Sequence, residues 1–214
     1  MQSAIRTLTV VAVLVGGGAA CQTTPTLRGS GVETTSIGDL ASVNPVDIAV
    51  LPIEVAPGAS EAPVSMIRAS SAKALVRRKY SPLAMDVVDE TIAQEAPQGT
   101  QGGGVQEASY SPGALGEDAL LEVIVERWDM PDWTALRSID AALTARLIDP
   151  RDPTGPVLWE ARLDRQFRFS LESGTASSTD RDLRAACDDI LRILISTLPG
   201  RTLEPGFVEE LTGN

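Results

Sequence analysis

The sequence predicts an α/β domain with a mixed sheet of about five strands, in the order β-α-β-α-β-β-β-α. Three observations carry this. Val46–Val55 holds Ile48, Ala49, Val50, Leu51 and Ile53, the near-continuous apolar run of a strand buried on both faces. Two alternating runs, 139–147 and 157–169, flank Asp149-Pro-Arg-Asp-Pro-Thr-Gly155, whose turn chemistry makes them a hairpin. Leu183, Ala186, Cys187, Ile190, Leu191, Leu194 and Leu198 form an apolar stripe at helical spacing, stopped by Pro199-Gly200.

Taken in order, residues 1–20 read as an export signal. Arg6 and the amino terminus supply positive charge, Leu8 to Val15 is apolar apart from Thr9, and small residues lead into Gly18-Ala19-Ala20-Cys21. A transmembrane helix needs about 20 apolar residues, so this short run is a signal rather than an anchor. Residues 21–45 are rich in Thr, Ser and Gly without sustained periodicity, the composition of a flexible tether with an r.m.s. reach of roughly 25–30 Å. Residues 46–198 make a single α/β domain, and 199–214 a C-terminal tail.

Within the domain, Val46–Val55 is the first strand, with Pro52 ending its regular pairing. Residues 62–79 follow as a helix with Ile67, Ser71, Ala74 and Leu75 on one face. Its last turn carries Arg77, Arg78 and Lys79, where cations suit the helix dipole and act as a cap rather than a ligand site. A short strand from Tyr80 leads to Asp86, which caps a helix reaching about Glu95. Asp86, Asp89 and Glu90 have the chemistry to bind a cation, but no fourth ligand follows at a recognised spacing, and they suit the first turn of that helix. Residues 96–113, with Gly102 to Gly104, read as a long loop lacking the Lys and helix cap of a phosphate cradle. One helical turn over 112–118 precedes a half-buried strand, 119–128, in which Leu121, Val123 and Val125 alternate with Glu122 and Glu126.

Composition narrows the function. The 214-residue chain carries 29 acidic against 18 basic side chains and no His, for a formal charge of −11; removing the signal takes Arg6 with it and deepens that charge by one. Such a balance argues against nucleic acid and against electrostatic adhesion to anionic lipid. Without His, serine hydrolysis and zinc chemistry lose their common forms, so no catalytic residue, metal or cofactor is expected. Paired carboxylates stay open as a hydrolase alternative. Only Cys21 and Cys187 exist. Cys187 sits in the apolar stripe, where a small buried thiol packs without reacting. Trp133 is the candidate partner-binding residue, because exposed Trp is enriched at interface hot spots; the alternative is that Trp128 and Trp133 cover the core edge.

Ala19, Ala20 and Cys21 resemble a lipobox, with Gly18 where Leu is usual. The resemblance implies cleavage before Cys21 and thioether lipidation of its thiol, commonly with further palmitate-type acylation; ordinary cleavage after Ala20 would instead leave a soluble periplasmic protein. Lipidation also keeps Cys21 from pairing with Cys187. Gln22, rather than Asp, favours the outer over the inner membrane. Downstream, "VDIAVLP", "GED-ALLEVIVERW" and "LIDPRDPTGPVLWEARL" resemble bacterial lipoproteins whose domain is similar to the amino-terminal domain of TolB, related in fold to CsgG and LpoB. Leu51-Pro52, Gly116, Asp118, Ala119, Trp128, Leu147, Asp149, Gly155, Leu158 and Trp159 carry the match. Glu117 replaces the family's Ala, and Lys79-Tyr80 its Gly-Tyr. The resemblance implies a lipid-anchored, periplasm-facing accessory module of a cell-envelope assembly or transport complex, acting through protein contacts. A homo-oligomeric ring or secretion pore of the CsgG type is the alternative, against which no pair of long strands shows an all-apolar face.

Overall fold

The structure, a computed structural model, describes residues 31–35, 38–95, 110–131, 133–169 and 179–201. It has a seven-stranded mixed sheet and five helices among these residues: β1 (Val32–Thr35), α1 (Leu40–Val43), β2 (Asp47–Val50), β3 (Glu54–Val55), α2 (Val64–Arg77), β4 (Ser81–Pro82), α3 (Met85–Glu95), β5 (Ala119–Asp129), α4 (Trp133–Leu136), β6 (Ser138–Ile148), β7 (Trp159–Arg168) and α5 (Thr179–Ile195). The strands run β1-β7-β6-β5-β2-β4, with β3 beside β5. Pairing is parallel among β2, β3, β4 and β5 and antiparallel across β5, β6, β7 and β1. The predicted α/β class and the hairpin are therefore present, with two more strands and two more one-turn helices than expected.

Each difference has a local cause. Val46–Val55 splits because Pro52 has no N–H to donate. Val50 pairs with Leu121 and Glu54 with Ile124, so four residues oppose three and the chain steps out between β2 and β3. The tether reading fails for its last part: Val32–Thr35 pairs in register with Leu163–Glu160 of β7, and Val32 is buried. Sparse apolar content hid this strand, since an edge strand with one inward side chain has almost no pattern of its own. Asp39 caps α1 by accepting from the Ser42 N–H at 3.1 Å. Asp86 is not the cap of α3 but its second residue. Residues 112–115 form a turn rather than a helix, pinned by Glu117, whose carboxylate accepts from the N–H groups of Gly113 (2.6 Å) and Leu115 (3.0 Å). The glycines at 102–104 and the tail from residue 202 lie outside the described residues.

The main core lies between one face of the sheet and the α2–α5 pair. Ala186, Cys187, Ile190, Leu191, Leu194 and Ile195 of α5 meet Leu121, Val123, Leu143, Leu147, Trp159 and Leu163, all removed from water. Burying a side chain of this size contributes about 1.5–3 kcal/mol. A smaller cluster of Ala49, Val88, Ile92 and Leu120 places α3 on the opposite face, so among the described residues a third layer covers the sheet over β2 and the start of β5.

A bulge in β5 sets the geometry of the far end. Val125 pairs with Leu143 but Arg127 with Ala142, leaving Glu126 as the extra residue. Strict alternation would turn Trp128 to solvent; the bulge advances the phase by one and puts its indole in the core.

Candidate interaction site

Cys21 lies outside the described residues. Trp133, singled out as an exposed anchor, is 8% exposed and belongs to the core cover, which corrects that expectation in favour of its alternative. Its ring stands edge-on to Phe169 at 6.1 Å, and Phe169 stacks on Phe167 at 6.1 Å. The Arg137 guanidinium lies 5.1 Å from the centre of the Trp133 ring and that of Arg165 lies 4.8 Å from Phe167. Arg137 also pairs with Asp182 in the first turn of α5 at 3.1 Å. The backbone locks this corner, since Arg137 N–H donates to the Trp133 carbonyl (3.2 Å) and Phe169 N–H to the Arg137 carbonyl (3.0 Å). Arg137 has φ 45°, a left-handed conformation in which L residues are strained. The indole N–H of Trp133 and two guanidinium nitrogens of Arg137, Nε and Nη1, are buried without an acceptor among the described residues. Sequence patterning did not find Arg137, because its partners are brought to it from β7 and α5.

The outer face of β5–β7 is a lattice of opposite charges. Arg127 bridges Asp140 (2.9 Å) and Asp164 (2.5 Å), Arg146 pairs with Glu160 (2.8 Å), and Arg162 pairs with Glu126 (2.7 Å). Thr144 Oγ1 donates to the other oxygen of Glu126 at 2.8 Å. Cross-strand pairs of this kind stabilise an open antiparallel face while keeping it wettable. Burial, and then the neighbouring Glu54, raise the Glu122 carboxyl, with Arg146 opposing them. Glu122 lies opposite Arg146, which pairs with Glu160 in the same row across the sheet, while Glu54 of β3 lies opposite Ile124.

Two further groups bind helices rather than ligands. Asp188 of α5 accepts from Ser70 Oγ at 2.8 Å and pairs with Lys73, both on α2. Burial alone would raise the Asp188 carboxyl, yet the hydrogen bonds from Lys73 and Ser70 hold it below the usual aspartate range. Asp89, one of the three acids weighed as cation ligands, pairs with Arg68 at 2.5 Å; Arg68 in turn donates to the Val50 carbonyl through Nε (3.1 Å) and Nη2 (2.8 Å). Among the described residues no group of three or more His, Cys, Asp or Glu is placed to hold a metal. The Cys187 thiol is pushed up to about 12, chiefly by burial and then by Asp188. Arg78 reaches beyond its own helix: its Nε donates to the Leu198 carbonyl and Tyr80 Oη to that of Pro199, each at 2.7 Å, tying the end of α5 to the end of α2. Lys79 takes φ 69°, the left-handed position where the resembled lipoprotein pattern carries Gly.

Among the described residues, fold and surface define a mixed α/β sheet, helix-backed on one face and carrying the charged lattice of β5–β7 on the other. No family profile matches the chain, and no curated protein is significantly similar to it. Solved structures similar to it include the PelC dodecamer from Paraburkholderia phytofirmans, at 17% identity and TM-score 0.47 over 79% of this chain and 98% of that one. Lipoprotein GNA1162 from Neisseria meningitidis follows at 21% and 0.42, over 68% and 96%. A DUF4136 family protein from Bacteroides thetaiotaomicron stands at 10% and 0.40, over 79% and 97%. No residue role is carried across at these levels.

Proposed function

We propose that this chain is a lipid-anchored, periplasm-facing interaction module, an accessory factor of a cell-envelope assembly or transport complex that performs no catalysis itself. The observation that carries this reading is the amino-terminal signal ending in Ala19-Ala20-Cys21, which supplies both an export route and a thiol at the one position lipidation uses. Two or more acyl chains on Cys21 would hold the protein stably at a membrane. No helix among the described residues is long and apolar enough to cross one. On the outer face of β5–β7, Arg127, Arg146 and Arg162 are each matched by carboxylates in ion pairs, as suits a surface working through contact rather than chemistry. Gln22 after the cysteine favours the outer membrane as the address, and the TolB-like resemblance favours an envelope partner.

The test is the intact mass of the wild type and of Cys21→Ala from membrane fractions, followed by crosslinking of the wild type in cells. An acylated wild type and a soluble variant support the reading, and the crosslinked protein names the partner. An unmodified periplasmic wild type overturns the anchor.

A further inference from the structure

The anchor and the domain are much closer in the chain than composition suggests, because the domain begins at the sheet edge with β1. Val32, Glu33, Thr34 and Thr35 pair with Leu163, Arg162, Ala161 and Glu160 of β7, and Val32 is buried against the main core. Two glycines flank the strand. Gly31, at φ 66°, packs so that a Cβ there would lie 3.1 Å from Arg165 Cδ. Gly38 lies against β7's approach, where a Cβ would sit 2.9 Å from the Val157 carbonyl oxygen. Close approach at both ends makes β1 a fitted part of the sheet and not a loosely resting strand.

From this we propose that β1 is a clamp that shortens the tether and keeps the whole sheet within about 60 Å of the membrane that anchors it. The proposal rests on acylation at Cys21. Whatever conformation the intervening residues take, the ten steps from Cys21 to Gly31 span at most about 33–36 Å. A tether running to residue 45 would span at most about 80–86 Å. The sheet extends from β1 to β4 across five interstrand spacings, about 24 Å. Even the β4 edge therefore stays within about 60 Å of the acyl anchor. Force on the anchor is delivered to the β1–β7 ladder, so loss of β1 pairing would lengthen the reach without detaching the protein.

The experiment uses the acylated full chain in vesicles of phosphatidylethanolamine and phosphatidylglycerol. A donor dye is placed on Glu33→Cys, an exposed position on β1, with acceptor dye on lipid headgroups; buried Cys187 stays unlabelled. With the decay fitted to acceptors spread over the bilayer plane, the expected result is a distribution of donor heights above the headgroups that ends by about 43 Å, the limit for the twelve steps from Cys21 to residue 33. In the same vesicles, hydrogen exchange of the β1 amides bonded to β7 should be at least about a hundredfold slower than in an unfolded chain. A twenty-residue Gly/Ser insertion after Gln22 should carry the distribution past that limit with the β1 protection unchanged. Acylated protein with unprotected β1 amides, or with wild-type heights well past about 43 Å, overturns the clamp alone. Protein lacking the acyl mass overturns the anchor, and the clamp with it.

Discussion

Asp118 and Asp47 are joined twice across two parallel strands: Asp118 N–H donates to the Asp47 carbonyl at 2.9 Å, and its Oδ2 accepts from the Asp47 N–H at 3.2 Å. The same oxygen accepts from Val46 N–H at 2.9 Å. One carboxylate thereby starts β2 and β5 in register, 71 residues apart in the chain. This gives the Asp within the Gly116–Trp128 pattern a physical role in strand pairing. Asp118→Ala should cost about 1.5–3 kcal/mol, the range for hydrogen bonds to a charged group, and Asp118→Asn less. Urea unfolding followed by circular dichroism measures both; equal stability of all three proteins would refute the role.

Trp133→Ala should lower stability by about 3–5 kcal/mol, since it removes a buried indole from beneath Arg137 and beside Phe169. Val76→Ala, on the exposed side of α2, should change it by less than about 0.5 kcal/mol. A thermal melt of the pair distinguishes a core cover from a surface anchor, for which Trp133→Ala would melt like the wild type.

The Ser70–Asp188–Lys73 link predicts a pH dependence with a definite sign. The folded-state carboxyl of Asp188 is held below its unfolded value. Its contribution is therefore complete above the ordinary aspartate pKa, about 3.9, and disappears as pH falls through the lower folded value. Asp188→Asn should be less stable than wild type at neutral pH and approach it in acid. Unfolding free energies from pH 7 down to about 2 provide the check; a constant gap would exclude the link.

Cys187 should resist alkylation while the fold is intact, because its thiol is fully buried and pushed up to about 12. Iodoacetamide labelling followed by mass spectrometry should rise only through the denaturant transition. Rapid labelling of folded protein would show that the α5 stripe opens locally.

Much of the fold was legible in residues whose neighbours in sequence report their environment. Leu143, Ala145 and Leu147 alternate because β6 has one core face, and Ile190, Leu191 and Leu194 recur at helical spacing because α5 covers it. Val32–Thr35 was not legible, since its identity as a strand depends on β7, more than 120 residues later. Trp128 and Trp133 were ambiguous for a related reason: a bulge at Glu126 and the packing of Phe169, neither marked by composition, decide which way they face.

The sequence by itself determined the α/β class, the hairpin and the amphipathic closing helix, because each is written in composition or a short period along the chain. Tertiary structure alone decided that Val32–Thr35 joins the sheet, which tryptophans are covered, and that Asp188, Asp118 and Arg137 tie together elements far apart in the chain. Those outcomes depend on hydrogen bonds and ion pairs between residues far apart in the chain, and distant partners leave no local period to read.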